Sequence, residues 1–322
     1  MNKFRLGLGP MSHEIIVALG KISIGSPLMV IASRNQIDAD SGYVCKSAEL
    51  ENILAPFKSM NLLLCRDHCG PYFLDTEKNL SEFDAIEATK KTIAKDIESG
   101  FDLIHIDTSR CSDVYKTAED LIEFCIKLNP SILFEFGTEE NIGVAAGIKN
   151  YKSDVKFAKH FSNMTYVVAQ TGSLVMETRQ AGNFDLETVK ELVAFANDAG
   201  IGLKEHNADY LSAEQINLRK IAGVHALNIA PQLGVIQTIV TSNYCKRNNL
   251  KAEWNNFAQA VLNSGKWRKW HQYGNDNDKV LMAGHYLFRS DEYMILRDKI
   301  KDLPFLVEAE ILNLFNHYEK NL

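Results

Sequence analysis

Leu62-Leu63-Leu64-Cys65-Arg66-Asp67-His68-Cys69-Gly70-Pro71 reads as a strand that ends in chemistry. Three successive leucines suit a strand covered on both faces, which needs no polar alternation. The apolar run gives way to Arg66, Asp67 and His68, and Gly70-Pro71 stops any continuation. An acid beside an imidazole at the carboxyl end of a strand lets an α/β fold hold a metal ligand next to a proton-transfer group. Taken alone, the stretch reads equally well as a buried strand turning polar at the surface. Its recurrence along the chain decides between the two.

Upstream, residues 27–33 form a buried run that ends at Arg34-Asn35-Gln36. Downstream, 103–107 ends in Asp107, 132–136 leads into Gly137-Thr138-Glu139-Glu140, and 165–169 opens into Gln170-Thr171-Gly172. Residues 202–206 end in His206, followed by Asn207-Ala208-Asp209-Tyr210; 224–229 contains Asn228 and turns at Ala230-Pro231. The run Val280-Leu281-Met282-Ala283 is the last strand candidate. Between these runs the spacing predicts helices at 13–19 after Ser12, and at 47–57, 81–100, 117–128, 152–161 and 185–199. A further one at 212–222 opens with the capping-box pattern Ser212-Ala213-Glu214-Gln215. A helical insert at about 235–275 carries Trp254, Trp267 and Trp270 as packing or interface residues, and a closing helix at about 305–318 lies in a helical tail, 292–322.

Eight strands alternating with helices predict an α/β protein, a (β/α)8 TIM barrel in one domain over 1–322, with the insert before the last strand. A doubly wound open sheet is the runner-up, but no G-x-G-x-x-G follows the first strand. In a barrel the strand ends converge, and here they supply Asn35, Asp67, His68, Asp107, Glu139, Gln170, His206 and Asn228. That convergence points to an enzyme.

Composition narrows the class. The 322 residues are 46% hydrophobic and 24% charged, as in a soluble globular protein. A net charge of −6 gives no footprint for nucleic acid or an anionic membrane. No apolar run approaches the ~20 residues of a membrane helix, and the start lacks the apolar core of a signal peptide. Six cysteines then read as free thiols in a reducing cytoplasm, and Cys65 and Cys69, without a second pair, as packing residues.

Two imidazoles and several carboxylates on one rim suit a divalent zinc site with an open position for substrate. Such a site polarises a ketone and stabilises the enediolate left when a carbon–carbon bond breaks. Asp67 is the natural shuttle for the hydroxyl proton, and Glu139 or Glu140 for the proton beside the ketone. His105 and His225, inside strands, read as satisfied core histidines, and Asp107 also suits a helix cap.

The chain resembles the Z-type subunits of tagatose-bisphosphate aldolase, relatives of the zinc-dependent class II ketose-bisphosphate aldolases. The matching runs are Ala32-Ser33-Arg34-Asn35-Gln36 with Ser41-Gly42-Tyr43, Asp67-His68-Cys69-Gly70-Pro71, and Ile104-His105-Ile106-Asp107-Thr108-Ser109. Gly137-Thr138-Glu139 and Glu205-His206-Asn207-Ala208-Asp209-Tyr210 extend them in the same order. The resemblance implies one zinc ion and a phosphorylated ketose cleaved to, or formed from, dihydroxyacetone phosphate and an aldehyde. It implies Asp67 as catalytic acid, His68 and His206 as metal ligands, Asp209 among the substrate-binding residues, and phosphate near Gly172 and Asn228, helped by Arg289. Two features depart from the pattern. Gln170-Thr171-Gly172 stands where class II subunits carry a further histidine, so a third ligand has to come from elsewhere, with Glu139 and Glu135 as the candidates, or else the site binds metal weakly. Arg66 stands where Z-type subunits have a small residue, and it could contact a substrate anion or point outward.

Two other readings remain beside the aldolase. One is a metal-dependent sugar epimerase; the other is an accessory subunit that stabilises a separate tagatose-bisphosphate aldolase. The expected partners are a sugar phosphate, a second copy of the chain and, on the accessory reading, a second aldolase subunit.

Overall fold

The computed structural model describes residues 3–58, 61–138, 143–145, 147–269 and 275–322. Eight strands close a parallel barrel: β1 (Leu6–Leu8), β2 (Leu28–Ser33), β3 (Leu62–Cys69), β4 (Leu103–Ile106), β5 (Leu133–Phe136), β6 (Met164–Val168), β7 (Gly202–Glu205) and β8 (Ala226–Ile229). Each pairs with the next in chain order, and β8 returns to β1 through Asn228 opposite Gly7. Helices α1 (His13–Gly25), α2 (Ser47–Leu54), α3 (Glu82–Glu98), α4 (Val114–Leu128), α5 (Ile148–Ala158), α6 (Leu186–Asp198) and α7 (Ala213–Ala222) alternate with the strands. Ser12, Ser81, Asp113, Asp185 and Ser212 each accept a first-turn backbone N–H, and Ser212 with Gln215 completes the expected capping box.

Strand alternation divides the apolar residues between two cores. Phe4, Met29, Ile31, Leu63, Cys65 and Leu103 are among those filling the barrel, while Leu64, Ile104, Phe134 and Leu203 face the helices. The same alternation sends Arg66 outward. It is fully buried, paired with Asp96 of α3 at 2.5 Å, donates to the carbonyls of Ala32 and Ile37, and lies 4.8 Å over the Phe101 ring. Arg66 is therefore not a substrate contact.

The barrel forms as the sequence predicts, but its ends differ. The first strand is Leu6–Leu8, not 27–33, and Val280 to Ala283 belong to a helix. Strand β1 is short, with Gly7 at its centre and Gly9 just after it, and glycine depresses strand propensity. The interior requires one of them: a Cβ on Gly7 would lie 2.3 Å from Asn228 Oδ1 and 2.8 Å from Ile31 Cγ2. A four-residue apolar run, conversely, cannot be told from a buried helical face by periodicity. The expected insert is consequently an extension: α8 (Pro231–Arg247), α9 (Lys251–Ser264), α10 (Asp276–Ala283), α11 (Asp291–Asp298) and α12 (Leu303–Glu319) all follow the last strand. Helix α12 packs along α1 and α8. In α9, Trp254 packs near Phe257, and Trp267 donates to the Leu262 carbonyl; Trp270 lies outside the described residues. No described helix is long and apolar enough to cross a membrane.

Candidate active site

Strand alternation puts Asp67 inside the barrel in line with Leu63 and Cys65, and would put His68 outside. A register shift between Arg66 and Cys69 and a left-handed backbone at His68 (φ 45°) undo that. A bulge of this kind re-aims a side chain, and a non-glycine residue held there costs about 1–3 kcal/mol. Acid and imidazole, adjacent in sequence, thus reach the same mouth.

Three imidazoles meet there. The ring centroids of His68, His105 and His206 are 5.1, 5.2 and 5.1 Å apart, and one potential ligand atom from each lies within 4.8 Å of the others. Asp67 sits against all three, with Oδ1 3.6 Å from His105 Nδ1 and 3.9 Å from His206 Nε2, and Oδ2 3.9 Å from His68 Nε2. Burial alone would push the Asp67 carboxyl up, but His68, His206 and His105 hold it far below the ordinary range. Asp67 Oδ1 and His105 Nε2 are buried without a hydrogen-bond partner among the described residues. Buried polar atoms are rarely left so, and a donor set of imidazoles beside a carboxylate suits a divalent metal. These residues could hold one.

The surroundings orient the cluster. His68 Nδ1 lies 2.7 Å from Asp107 Oδ2, and Asp107 also accepts from the Ser109 hydroxyl at 2.7 Å. Burial opposes charge on His68, but the carboxylates of Asp67 and Asp107 outweigh it and raise its pKa. Below, Glu135 bridges His206 Nε2 (2.7 Å) and Lys204 Nζ (2.5 Å). Burial would raise Glu135 and lower Lys204; their mutual attraction reverses both, so the pair is ionised. His206, by contrast, has its pKa lowered by burial, against the pull of Asp67 and Glu135.

His105 corrects the sequence reading: it belongs to the cluster and is not a satisfied core residue. His225 fits that reading only in its hydrogen bond: it accepts from the Leu203 amide at 3.0 Å, but it is half-buried and precedes β8 instead of lying within it. Lys204 has no part in the sequence reading. Alternation carries both signals, since His105 and Lys204 sit two residues before Asp107 and His206 on inward faces.

The other expected residues divide. Gln170 and Asn228 are buried, with Gln170 Oε1 and both Asn228 amide atoms unpartnered among the described residues. Gly172 (φ 97°) is a backbone crossing, where a Cβ would lie 2.0 Å from the Asn183 carbonyl oxygen. Asn35 acts at one remove: its amide donates to Phe73 O at 2.7 Å, and the Phe73 ring stacks on His68 at 5.5 Å. Asp209 caps α8, accepting from Ala230 N (3.1 Å) and Gln232 N (2.8 Å). Arg289 is not brought to the mouth; it turns to Glu49 at 3.6 Å and the Val44 carbonyl at 3.3 Å. Glu139 and Glu140 lie outside the described residues.

A TIM barrel with a histidine–carboxylate cluster at the carboxyl ends of its strands is thus the class of protein on view. The sequence matches no protein-family model and no curated protein. The fold is similar to that of a probable tagatose 6 phosphate kinase from Sinorhizobium meliloti 1021 (TM-score 0.82, 15% identity, covering 99% of this chain and 100% of that one). It is also similar to fructuronate-tagaturonate epimerase UxaE from Cohnella laeviribosi (TM-score 0.64, 11% identity, 98% and 81% covered). A third likeness is to fructose-bisphosphate aldolase from Campylobacter jejuni (TM-score 0.61, 12% identity, 99% and 90% covered). At these identities the likeness speaks for the fold.

Proposed function

We propose that the chain is a metal-dependent aldolase that cleaves or forms a phosphorylated ketose, with dihydroxyacetone phosphate and an aldehyde as partners. The observation that carries this is the convergence of His68, His105 and His206 around an ionised, partly unsatisfied Asp67. Zinc held by the three imidazoles would supply Lewis-acid polarisation of a ketone carbonyl. Asp67, kept ionised by its neighbours, accepts the proton of the hydroxyl on the bond that breaks and returns it in the reverse direction. Asp107 holds the His68 ring, and Glu135, itself anchored by Lys204, holds His206. The amides of Asn228 and Gln170 offer hydrogen bonds to substrate hydroxyls or phosphate.

The similarity to a uronate epimerase favours a second reading, in which the same groups move a proton beside a carbonyl without breaking a carbon–carbon bond. The test is metal content together with triose phosphate release from a panel of ketose phosphates. We expect about one zinc per chain, lost in His68→Ala, His105→Ala and His206→Ala, and cleavage lost in Asp67→Asn with metal retained. A product that keeps all its carbons would establish the epimerase instead. Metal retained in all three histidine variants would overturn the site.

A further inference from the structure

The three imidazoles are not held equally. The side chains of His105 and His206 are 2% and 5% exposed, whereas that of His68 is 40% exposed. Asp107 fixes His68 Nδ1 at 2.7 Å, but a single hydrogen bond leaves the ring able to turn about the line joining the two atoms. Phe73, from the loop between β3 and α3, sets the plane of that ring: it stacks on it 14° from parallel, with centroids 5.5 Å apart.

The loop that carries Phe73 is gripped from several sides. Left-handed residues stand near its start, His68 (φ 45°) and Tyr72 (φ 68°), and such backbone persists only where the surroundings enforce it. Gly70 crosses the end of β4 so closely that a Cβ would lie 1.5 Å from the Asp107 carbonyl oxygen. Arg34 and Glu77, both buried, form a two-pronged ion pair with contacts of 2.6 and 3.0 Å. Arg34 also donates to the Gly70 carbonyl at 3.0 Å, and Glu77 accepts from the Tyr72 amide at 2.9 Å. Arg110, from the loop between β4 and α4, donates to the Tyr72 carbonyl at 2.7 Å and places its guanidinium 4.2 Å from the Phe73 ring centre.

We propose that Phe73 is a positioning residue for His68, and that the buried Arg34–Glu77 pair holds Phe73 in place to do this. This rests on the reading of the histidine cluster as a metal site. With Nδ1 engaged by Asp107, Nε2 is the nitrogen left for a metal, and it lies 3.9 Å from Asp67. Packing alone keeps His105 and His206 in place. The most exposed of the three ligands needs a second constraint, and the stacked ring supplies it.

The test compares the unaltered full-length chain with Phe73→Leu, which keeps apolar bulk without a flat ring, Phe73→Tyr, which keeps the ring, and Glu77→Gln. One readout is zinc affinity, by competition with a chelator. The other, in the metal-free chain, is the NMR signal of the His68 Nδ1 proton, protected from exchange while it is bonded to Asp107 and assigned by its absence in His68→Gln. Unfolding midpoints are measured alongside. Expected in Phe73→Leu are zinc binding about tenfold weaker and loss of the proton signal, at an unchanged midpoint. Phe73→Tyr retains both. Glu77→Gln lowers the midpoint and weakens zinc binding, but adds no further zinc loss to Phe73→Leu, because it acts through the same ring. The assignment is overturned if Phe73→Leu matches the unaltered chain in both readouts, if Phe73→Tyr loses as much as Phe73→Leu, or if the two zinc losses add. Should the unaltered chain bind no zinc, the metal reading falls and the proton signal alone decides. Loss in Phe73→Leu with retention in Phe73→Tyr then upholds Phe73 as the residue that positions His68, and any other pattern overturns it.

Discussion

Arg66–Asp96 and Lys204–Glu135 are both fully buried ion pairs, each closing at 2.5 Å. They differ in which side of the barrel wall they occupy. Arg66 lies between β3 and α3, where Asp96 and two carbonyls take up its guanidinium and Phe101 covers it. Glu135 lies inside, with Lys204 on one oxygen, His206 on the other and a buried unpartnered nitrogen of His105 nearby. Burial and pairing therefore do not mark a functional group. Proximity to unsatisfied atoms does.

The outer pair should carry the larger stability effect. Asp96→Ala leaves a guanidinium buried without its counter-charge, and arginine cannot shed its proton, so a loss of about 3–5 kcal/mol is expected in denaturant unfolding. Metal content of the folded fraction should stay unchanged. Loss of metal at native stability would erase the contrast.

Two buried carboxylates sharpen it further. Asp67 is held ionised by imidazoles, whereas burial pushes Asp209 up to about 7, with the amides of Gln232 and Ala230 opposing. The folded chain thus keeps the Asp209 proton at pH values where the unfolded chain has lost it. This contribution is fully present near pH 4, declines as pH rises to about 7, and is flat above. The difference amounts to up to about 4 kcal/mol. Asp209→Asn should cap α8 through its amide oxygen and flatten the decline in unfolding free energy between those pH values. An unchanged slope would show that another group sets it.

How much of this was legible follows the same wall. The runs behind β2 to β8 were readable because continuous burial writes itself as continuous apolarity. Strand β1 was not, because its inward position had to be Gly7, and the final strand was misplaced because Val280 to Ala283 are as apolar on a helix. In the mouth, Asp67, His68 and His206 stood out as strand-end residues. His105 and Lys204 were hidden one turn of the pleat deeper, where only alternation reveals them, and alternation likewise excludes Arg66. His68 obeys adjacency and not alternation, because the bulge that re-aims it has no signature in Arg66-Asp67-His68-Cys69.

The inner pair gives the smallest stability effect and the most local functional one. Glu135→Gln leaves Lys204 without its nearest carboxylate, but a lysine can neutralise itself by losing a proton, and Asp67 remains in its field. The expected stability cost is about 1–3 kcal/mol, below that of Asp96→Ala. The same change replaces the charged acceptor at His206 Nε2 with a neutral amide, and removing such support weakens metal sites about 10–100-fold. Competition with a chelator should therefore show weaker metal binding in Glu135→Gln and none of that weakening in Asp96→Ala. If both variants lose metal affinity equally, the wall between β3 and α3 transmits strain into the mouth and the two pairs are one system. If neither does, Glu135 serves Lys204 alone and His206 is held by the Ser173 hydroxyl, which donates to its carbonyl at 2.6 Å.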